Sequence, residues 1–224
     1  RPLRLSYAGQ VLRVKGGLLR LERQIGQVGG ELIGADGAAA DVEAIAVAAE
    51  ALAGLGIVGL SVDLTLPRLV PALCESLGLA AAQVEAIRGA LDHKDAAKLA
   101  ATGGPAAPLL GKLLAAAGPA GTALAALTPL ALPPAAAAER ARLAEVVALL
   151  AGVVPDLRIT VDPVESRGFQ YDTGISFSFF ARAGRAELGR GGRYVAGNGT
   201  PEPATGFTLY TDTVLAVVPP PETR

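Results

Sequence analysis

Arg23, Gln27 and Glu31 are spaced by four residues. An unbroken β-strand alternates its side chains, so an even spacing sends all three to one face. The surrounding stretch, residues 19–33, also carries Arg20, Glu22 and Gln24. That is a high density of polar groups for a strand flanked by apolar residues. Two readings stand open: a solvated sheet face, or the polar lining of a pocket. A second polar cluster runs Gly189-Arg190-Gly191-Gly192-Arg193-Tyr194. No Lys-Ser/Thr pair follows it and no helix signal starts there, so it is neither a phosphate loop nor a dinucleotide fingerprint. Close backbone packing between strands accounts for such glycines.

Other chemistries are excluded by what the chain lacks. Its one cysteine, Cys74, rules out an internal disulfide and a cysteine-based zinc site. Its one histidine, His93, argues against a histidine-built metal centre, so no metal or cofactor is expected. His93 stands in the polar turn Asp92-His93-Lys94-Asp95 and reads as a surface residue. Twenty basic and 21 acidic residues give a net charge of −1, which argues against a nucleic-acid surface. The long uncharged run, residues 113–138, is broken by Pro119, Pro129, Pro133, Pro134, Gly118 and Gly121. Prolines would expose unpaired carbonyls to lipid, so this run is expected to be a soluble helical segment. No charged segment followed by an apolar core opens the chain, and a cytoplasmic location is expected.

The elements that position the polar residues follow from residue usage. Aromatic residues are absent between Tyr7 and Phe169. Alanine and leucine favour helices, aromatic and β-branched residues favour strands. The expectation is a β-rich start, a long helical middle and a β-rich end. Residues 3–14 predict a strand, a turn at Gly16-Gly17, and an antiparallel return to residue 33. Asp41 is expected to cap a helix over residues 42–53. A strand over 60–64 and a helix stopping near Gly78 follow, with Cys74 buried in that helix. Pro134 starts the last long helix, whose apolar stripe is Leu143, Val146, Val147 and Leu150. Strands are expected from residue 157, along the alternating Phe169, Tyr171, Thr173, Ile175, Phe177 and Phe179, over 186–188, and over 205–211.

Four short motifs then fall in order. Arg167-Gly168-Phe169-Gln170-Tyr171-Asp172-Thr173-Gly174 resembles the histidine-binding signature of histidyl-tRNA synthetases, and Gly191-Gly192-Arg193-Tyr194 the motif that follows it. Leu12-Arg13 and Gln27-Val28-Gly29-Gly30-Glu31 resemble class II motif 2 and its continuation. Ala204-Thr205-Gly206-Phe207 occupies the place of motif 3. The departures are equally specific. The short Arg13-Val14-Lys15-Gly16-Gly17 lacks the carboxylate and the long loop of active enzymes. The stretch Thr208-Leu209-Tyr210-Thr211-Asp212 lacks the arginine that clamps the ATP γ-phosphate. Losing one such charge-stabilising donor costs about 10²–10³ in rate, so adenylation is expected to be negligible.

This combination resembles the catalytically silent paralogues of the synthetase, the regulatory subunits of ATP phosphoribosyltransferase. The resemblance implies a non-catalytic chain that partners a short-form catalytic subunit and mediates histidine feedback on histidine biosynthesis. The alternative is a divergent or fragmentary histidyl-tRNA synthetase catalytic domain. It implies an α+β fold, a class II synthetase-like antiparallel sheet flanked by helices. The synthetase-like core is expected over 1–82 and 154–218, with an Ala-rich helical insertion over 83–153. No element corresponding to the family's dimer-building motif 1 is recognisable, so the N-terminal part is expected to be missing and self-association is expected of the full-length protein.

An amino-acid zwitterion needs a carboxylate for its ammonium and donors for its own carboxylate. Glu31 and Gln27 can accept from the ammonium. Arg167 can pair with the ligand carboxylate, and Tyr171 and Tyr194 can wall or hydrogen-bond an imidazole. Arg13 is expected to be a vestige of motif 2. Asp172 replaces the second tyrosine of the signature, and either meets an imidazolium or faces solvent.

Overall fold

The computed structural model describes residues 2–12, 24–165, 172–184, 186–197 and 199–220. Eight strands form one sheet: β1 (Leu3–Leu12), β2 (Gln24–Ile33), β3 (Leu60–Thr65), β4 (Gly118–Pro119), β5 (Arg158–Asp162), β6 (Ser176–Ala181), β7 (Gly189–Ala196) and β8 (Glu202–Tyr210). Their order is β1-β2-β8-β7-β6-β3-β5-β4. Every neighbouring pair is antiparallel except β3 and β5. A parallel return needs a long crossover, and the Ala-rich middle of the chain supplies it. The helices are α1 (Ala38–Gly54), α2 (Leu69–Ser76), α3 (Ala81–Asp92), α4 (Ala96–Thr102), α5 (Ala107–Ala115), α6 (Ala120–Leu127), α7 (Pro134–Val153) and α8 (Thr211–Leu215). This is the expected α+β class. Among the described residues no helix is long and apolar enough to cross a membrane.

Period-two alternation splits the sheet into two chemistries. Val62 and Leu64 of β3, Phe177 and Phe179 of β6, and Phe207 and Leu209 of β8 all join the apolar core. Phe177 and Phe179 meet edge-on, with centroids 5.8 Å apart and planes at 80°, the arrangement ring quadrupoles favour. The core continues without a break into the helices through Ile45, Leu52, Leu113, Leu143, Val146 and Leu150. Leu143, Val146 and Leu150 are the buried stripe read from α7, with Val147 at its half-buried edge. Cys74 is buried in α2, and His93 is exposed at the end of α3, as expected.

Three expectations need correction. The strand expected along Phe169 to Phe179 forms only from Ser176; residues 172–175 belong to no strand, and 169–171 lie outside the described residues. The return strand after Gly184 begins at Gly189, not at residue 186, so the glycine run lies inside β7. Asp41 does not cap a helix beginning at Val42. The helix starts at Ala38 with Gly37 at its N-cap, and Asp41 is buried within the first turn. The reason is Arg193. A guanidinium offers five donors and no acceptor, so a buried one demands oxygen on several sides. Arg193 donates through Nε to Asp41 Oδ1 at 2.9 Å, through Nη1 to Asp36 Oδ1 at 3.2 Å, and through Nη2 to the Gly37 carbonyl at 3.0 Å. The carboxylate that would have capped the helix is taken by the sheet.

A second polar tie joins the helical middle to the sheet. Lys94 follows α3 with φ of 52°, a left-handed conformation that a lysine rarely adopts. Its Nζ donates to Asp162 Oδ2 at 2.6 Å at the end of β5. Asp162 Oδ1 accepts from the amides of Val164 and Glu165, each at 3.2 Å.

Removing one partner of the Arg193–Asp41 pair leaves a buried charge uncompensated. Asp41→Ala is expected to destabilise the fold by about 3–5 kcal/mol, and Asp41→Asn by clearly less because it keeps an acceptor. Urea unfolding of the two variants checks both the size and the order.

Candidate functional site

The other chemistry of the sheet gathers on the opposite face. Glu31 of β2 pairs with Gly206 of β8, which pairs with Gly192 of β7, which pairs with Ser176 of β6. The next row runs from Tyr7 of β1 through Gly29, Thr208 and Arg190 to Ser178. Side chains at these positions share a face, and the glycines leave gaps in it. A Cβ on Gly206 would overlap Glu31 Oε2 and stand 2.7 Å from the Gly30 carbonyl oxygen. A Cβ on Gly29 would overlap the Tyr7 hydroxyl and the Phe207 carbonyl oxygen. The gaps form a cleft of about 380 Å³, lined among others by Gln27, Glu31, Asp172, Arg190, Tyr194, Thr208 and Tyr210. The volume suits an amino-acid-sized ligand.

The sheet brings three of the expected residues together. Gln27 and Glu31 both line the cleft from β2, half-buried and on one face as their spacing predicts. Tyr194 reaches across from β7, and its hydroxyl donates to Glu31 Oε2 at 2.8 Å. Arg167, Tyr171 and Arg13 lie outside the described residues, as does Arg23. Neighbouring residues of one motif part company: Tyr194 faces the cleft while Arg193 faces α1, because successive strand side chains alternate.

Asp172 does not face solvent. It is buried, 8% exposed, and lines the cleft. Burial pushes its carboxyl up to about 6, against the pull of the nearby Arg190 charge and a hydrogen bond with Ser176. Burial also holds the Glu31 carboxyl above its ordinary range, although the Tyr194 hydroxyl lowers it in part. Arg190 is tied to Glu187, with Nε donating to Oε2 at 3.1 Å. Glu187 accepts from the Ser178 hydroxyl at 2.5 Å as well. Sequence reasoning passed over Arg190, Thr208 and Tyr210 as lining. Strand parity with Tyr194 and Gly206 was the signal available for them.

The place of motif 3 is used for structure. Asp212 Oδ2 accepts from the Gly26 amide at 3.1 Å, pinning α8 to β2. Tyr7 bonds with the Thr208 hydroxyl across the strand between them. Among the described residues no cluster of His, Cys, Asp and Glu could hold a metal ion. The arrangement can therefore hold a small cationic or zwitterionic molecule by hydrogen bonds and charge.

Comparisons with known proteins agree with this geometry. The sequence model of the histidyl-tRNA synthetase family matches residues 1–214. An ATP phosphoribosyltransferase regulatory subunit from Paramagnetospirillum magneticum is 62% identical over 222 residues, covering 99% of this chain and 58% of that protein. The chain thus spans a little under three fifths of the length of the curated relatives it matches. Among solved structures, an ATP phosphoribosyltransferase regulatory subunit/histidyl-tRNA synthetase from Bacillus halodurans matches with a TM-score of 0.83 and 24% identity, over 100% of this chain and 60% of its own. An ATP phosphoribosyl transferase complex from Thermotoga maritima matches with a TM-score of 0.75 and 16% identity, over 94% of this chain and 73% of that chain. These two likenesses concern the fold.

The raised Asp172 carboxyl has a consequence for stability. The folded state holds this proton more tightly than the unfolded chain, whose carboxyl titrates near 3.8. Protonation therefore supports the fold fully below that value, and the support is lost as pH rises through about 6. Asp172→Asn is expected to be more stable than wild type at pH 7.5, by roughly 1–2 kcal/mol after allowing for water screening in the open cleft. The difference should shrink as pH falls from 6 toward 4.5. Urea unfolding of both proteins at pH 4.5, 5.5 and 7.5 measures it.

Proposed function

Because the chain belongs to the histidyl-tRNA synthetase family, we propose that it is the synthetase-like part of an ATP phosphoribosyltransferase regulatory subunit. In this reading it performs no adenylation, binds histidine in the cleft, and assembles with a short-form catalytic subunit. The observation that carries it is the 62% identity, across 99% of the chain, with a protein named as such a subunit. The Thermotoga maritima complex named as an ATP phosphoribosyl transferase adds a partner-bearing example of the same fold. A biosynthetic role of this kind fits a cytoplasmic location and self-association of the full-length protein.

The chemistry of the cleft supports the same division of labour. Glu31 is placed to accept from a ligand ammonium, with Gln27 four residues away on the same strand. Tyr194 donates to Glu31, and its ring is proposed to wall the ligand side chain. Arg167 is proposed for the ligand carboxylate, Tyr171 for the ring, and Arg13 as the remnant of motif 2. ATP brings several negative charges, and Glu31 and Asp172 oppose them. The described cation of the cleft, Arg190, is engaged with Glu187. The stretch 208–212 supplies hydroxyls and an aspartate instead of an arginine.

Regulation then follows from linkage. Histidine alters the partner's activity only by the difference in its affinity for the active and inactive arrangements of the complex. Adding this chain to a short-form catalytic subunit should switch on ATP phosphoribosyltransferase activity, and histidine should lower it again. Failure to activate, together with failure to co-elute, overturns the proposal. Histidine-dependent pyrophosphate exchange by the chain alone would establish the synthetase reading instead.

Glu31 gives the sharpest single-residue outcome. Glu31→Ala removes the ammonium partner and is expected to weaken the histidine response by about 2–4 kcal/mol. The histidine dependence of the reconstituted complex reads this directly, and an unchanged response would assign Glu31 to structure alone.

A further inference from the structure

Among the described residues, the charges at the cleft do not balance. Glu31 from β2 and Asp172 ahead of β6 are the carboxylates that line it, and Glu187, just ahead of β7, is bonded to Arg190. Arg190 of β7 is the guanidinium that faces them among the described residues. Tyr194 of β7 and Tyr210 of β8 also line the cleft, and Tyr7 of β1 bonds Thr208 at its side; none of the three brings a cation. Arg190 is already shared, since Glu187 takes its Nε and Nη2 donors. Glu31 has its own donor in Tyr194. Asp172 is left with the hydroxyl of Ser176 and the distant pull of Arg190. A ligand that brings one ammonium satisfies Glu31 and leaves the buried Asp172 with incomplete compensation.

We propose that Asp172 selects the ligand by a second positive charge, so that histidine binds with its imidazole ring protonated and takes up a proton from solvent. This rests on the reading of the cleft as a histidine site and adds what that site demands of the side chain. A neutral ring would bury Asp172 without a counter-charge, whereas an imidazolium forms a charge-assisted hydrogen bond with it. The raised carboxyl fits this: its ionised form is costly in the empty cleft, and a cation relieves that cost. At pH 7.5 Asp172 is ionised, while free imidazole, with a pKa of about 6.5, is mostly neutral. Forming the pair therefore moves one proton from the buffer to the ring. An ordinary amino acid with an apolar side chain has nothing to offer Asp172, so the same carboxylate rejects it.

Titration calorimetry of the wild-type chain with L-histidine at pH 7.5, in two buffers of different ionisation enthalpy, reads the proton count. The expected result is an uptake approaching one proton per histidine bound. Asp172→Asn should reduce the uptake to near zero and weaken binding at pH 6.5 by about tenfold or more. The neutral isostere triazolylalanine tests the same claim without a variant: it should bind wild type more weakly, with no uptake. Histidine binding that shows no buffer dependence overturns the role of Asp172 while leaving the histidine site standing. No binding of histidine to wild type overturns both, and the absence of any heat in either buffer identifies that case.

Discussion

The buried ion pair between Arg193 and Asp41 is the constraint on which the site's geometry rests. It lies on the reverse of the sheet from the cleft, yet it fixes the strand that carries Tyr194. With its guanidinium bonded to Asp41, Asp36 and the Gly37 carbonyl, Arg193 locks β7 against the first turn of α1. Tyr194 is the next residue, pointing the other way. Its hydroxyl meets Glu31 two strands away only while β7 keeps its register against β8 and β8 against β2. A one-residue slip would exchange Arg193 and Tyr194 between faces, burying a phenol against the helix and turning a charge into the cleft. The pair therefore acts as a register device for the residues that line the cleft, the best-supported use of a buried ion pair.

The cleft itself is made by omission. Gly29, Gly192 and Gly206 lie on three adjacent strands where side chains would otherwise cover the sheet. Glutamate 31 fills the space that a side chain on position 206 would need. Once the surface is opened in this way, the carboxylates beside it lose part of their water without gaining full partners. Both Glu31 and Asp172 titrate above their ordinary range for that reason. Carboxylates whose burial is only partly compensated, gathered in one cleft, mark a candidate site for a positively charged group. The hydrogen bonds from Tyr194 and Ser176 moderate the strain without abolishing it.

Much of this was legible from residue order, and the limits have physical causes. The antiparallel pairing of β1 with β2, the common face of Gln27 and Glu31 and the buried stripe of α7 follow from local periodicity, while the turn expected at Gly16-Gly17 lies outside the described residues. Asp41 was misjudged because capping is a local rule, while its partner stands 152 residues away in the chain. The glycine run of β7 reads as a turn or loop by composition. Only its cross-strand neighbours explain it, because Gly191 packs beneath Phe177 and the Gly206 carbonyl. Asp172 left two outcomes open for the same reason: an aspartate after a strand-like stretch is ambiguous until Arg190 and Ser176 are placed beside it.

The same sheet is tied to the helical middle by a second ion pair. Lys94, held in a left-handed conformation at the end of α3, donates to Asp162. Asp162 in turn holds the amides of Val164 and Glu165, the last described residues before the segment bearing Arg167 and Tyr171. The strands that carry Glu31 and Tyr194 belong to the same sheet, so the Lys94–Asp162 pair ties the helical middle to the framework that holds the cleft.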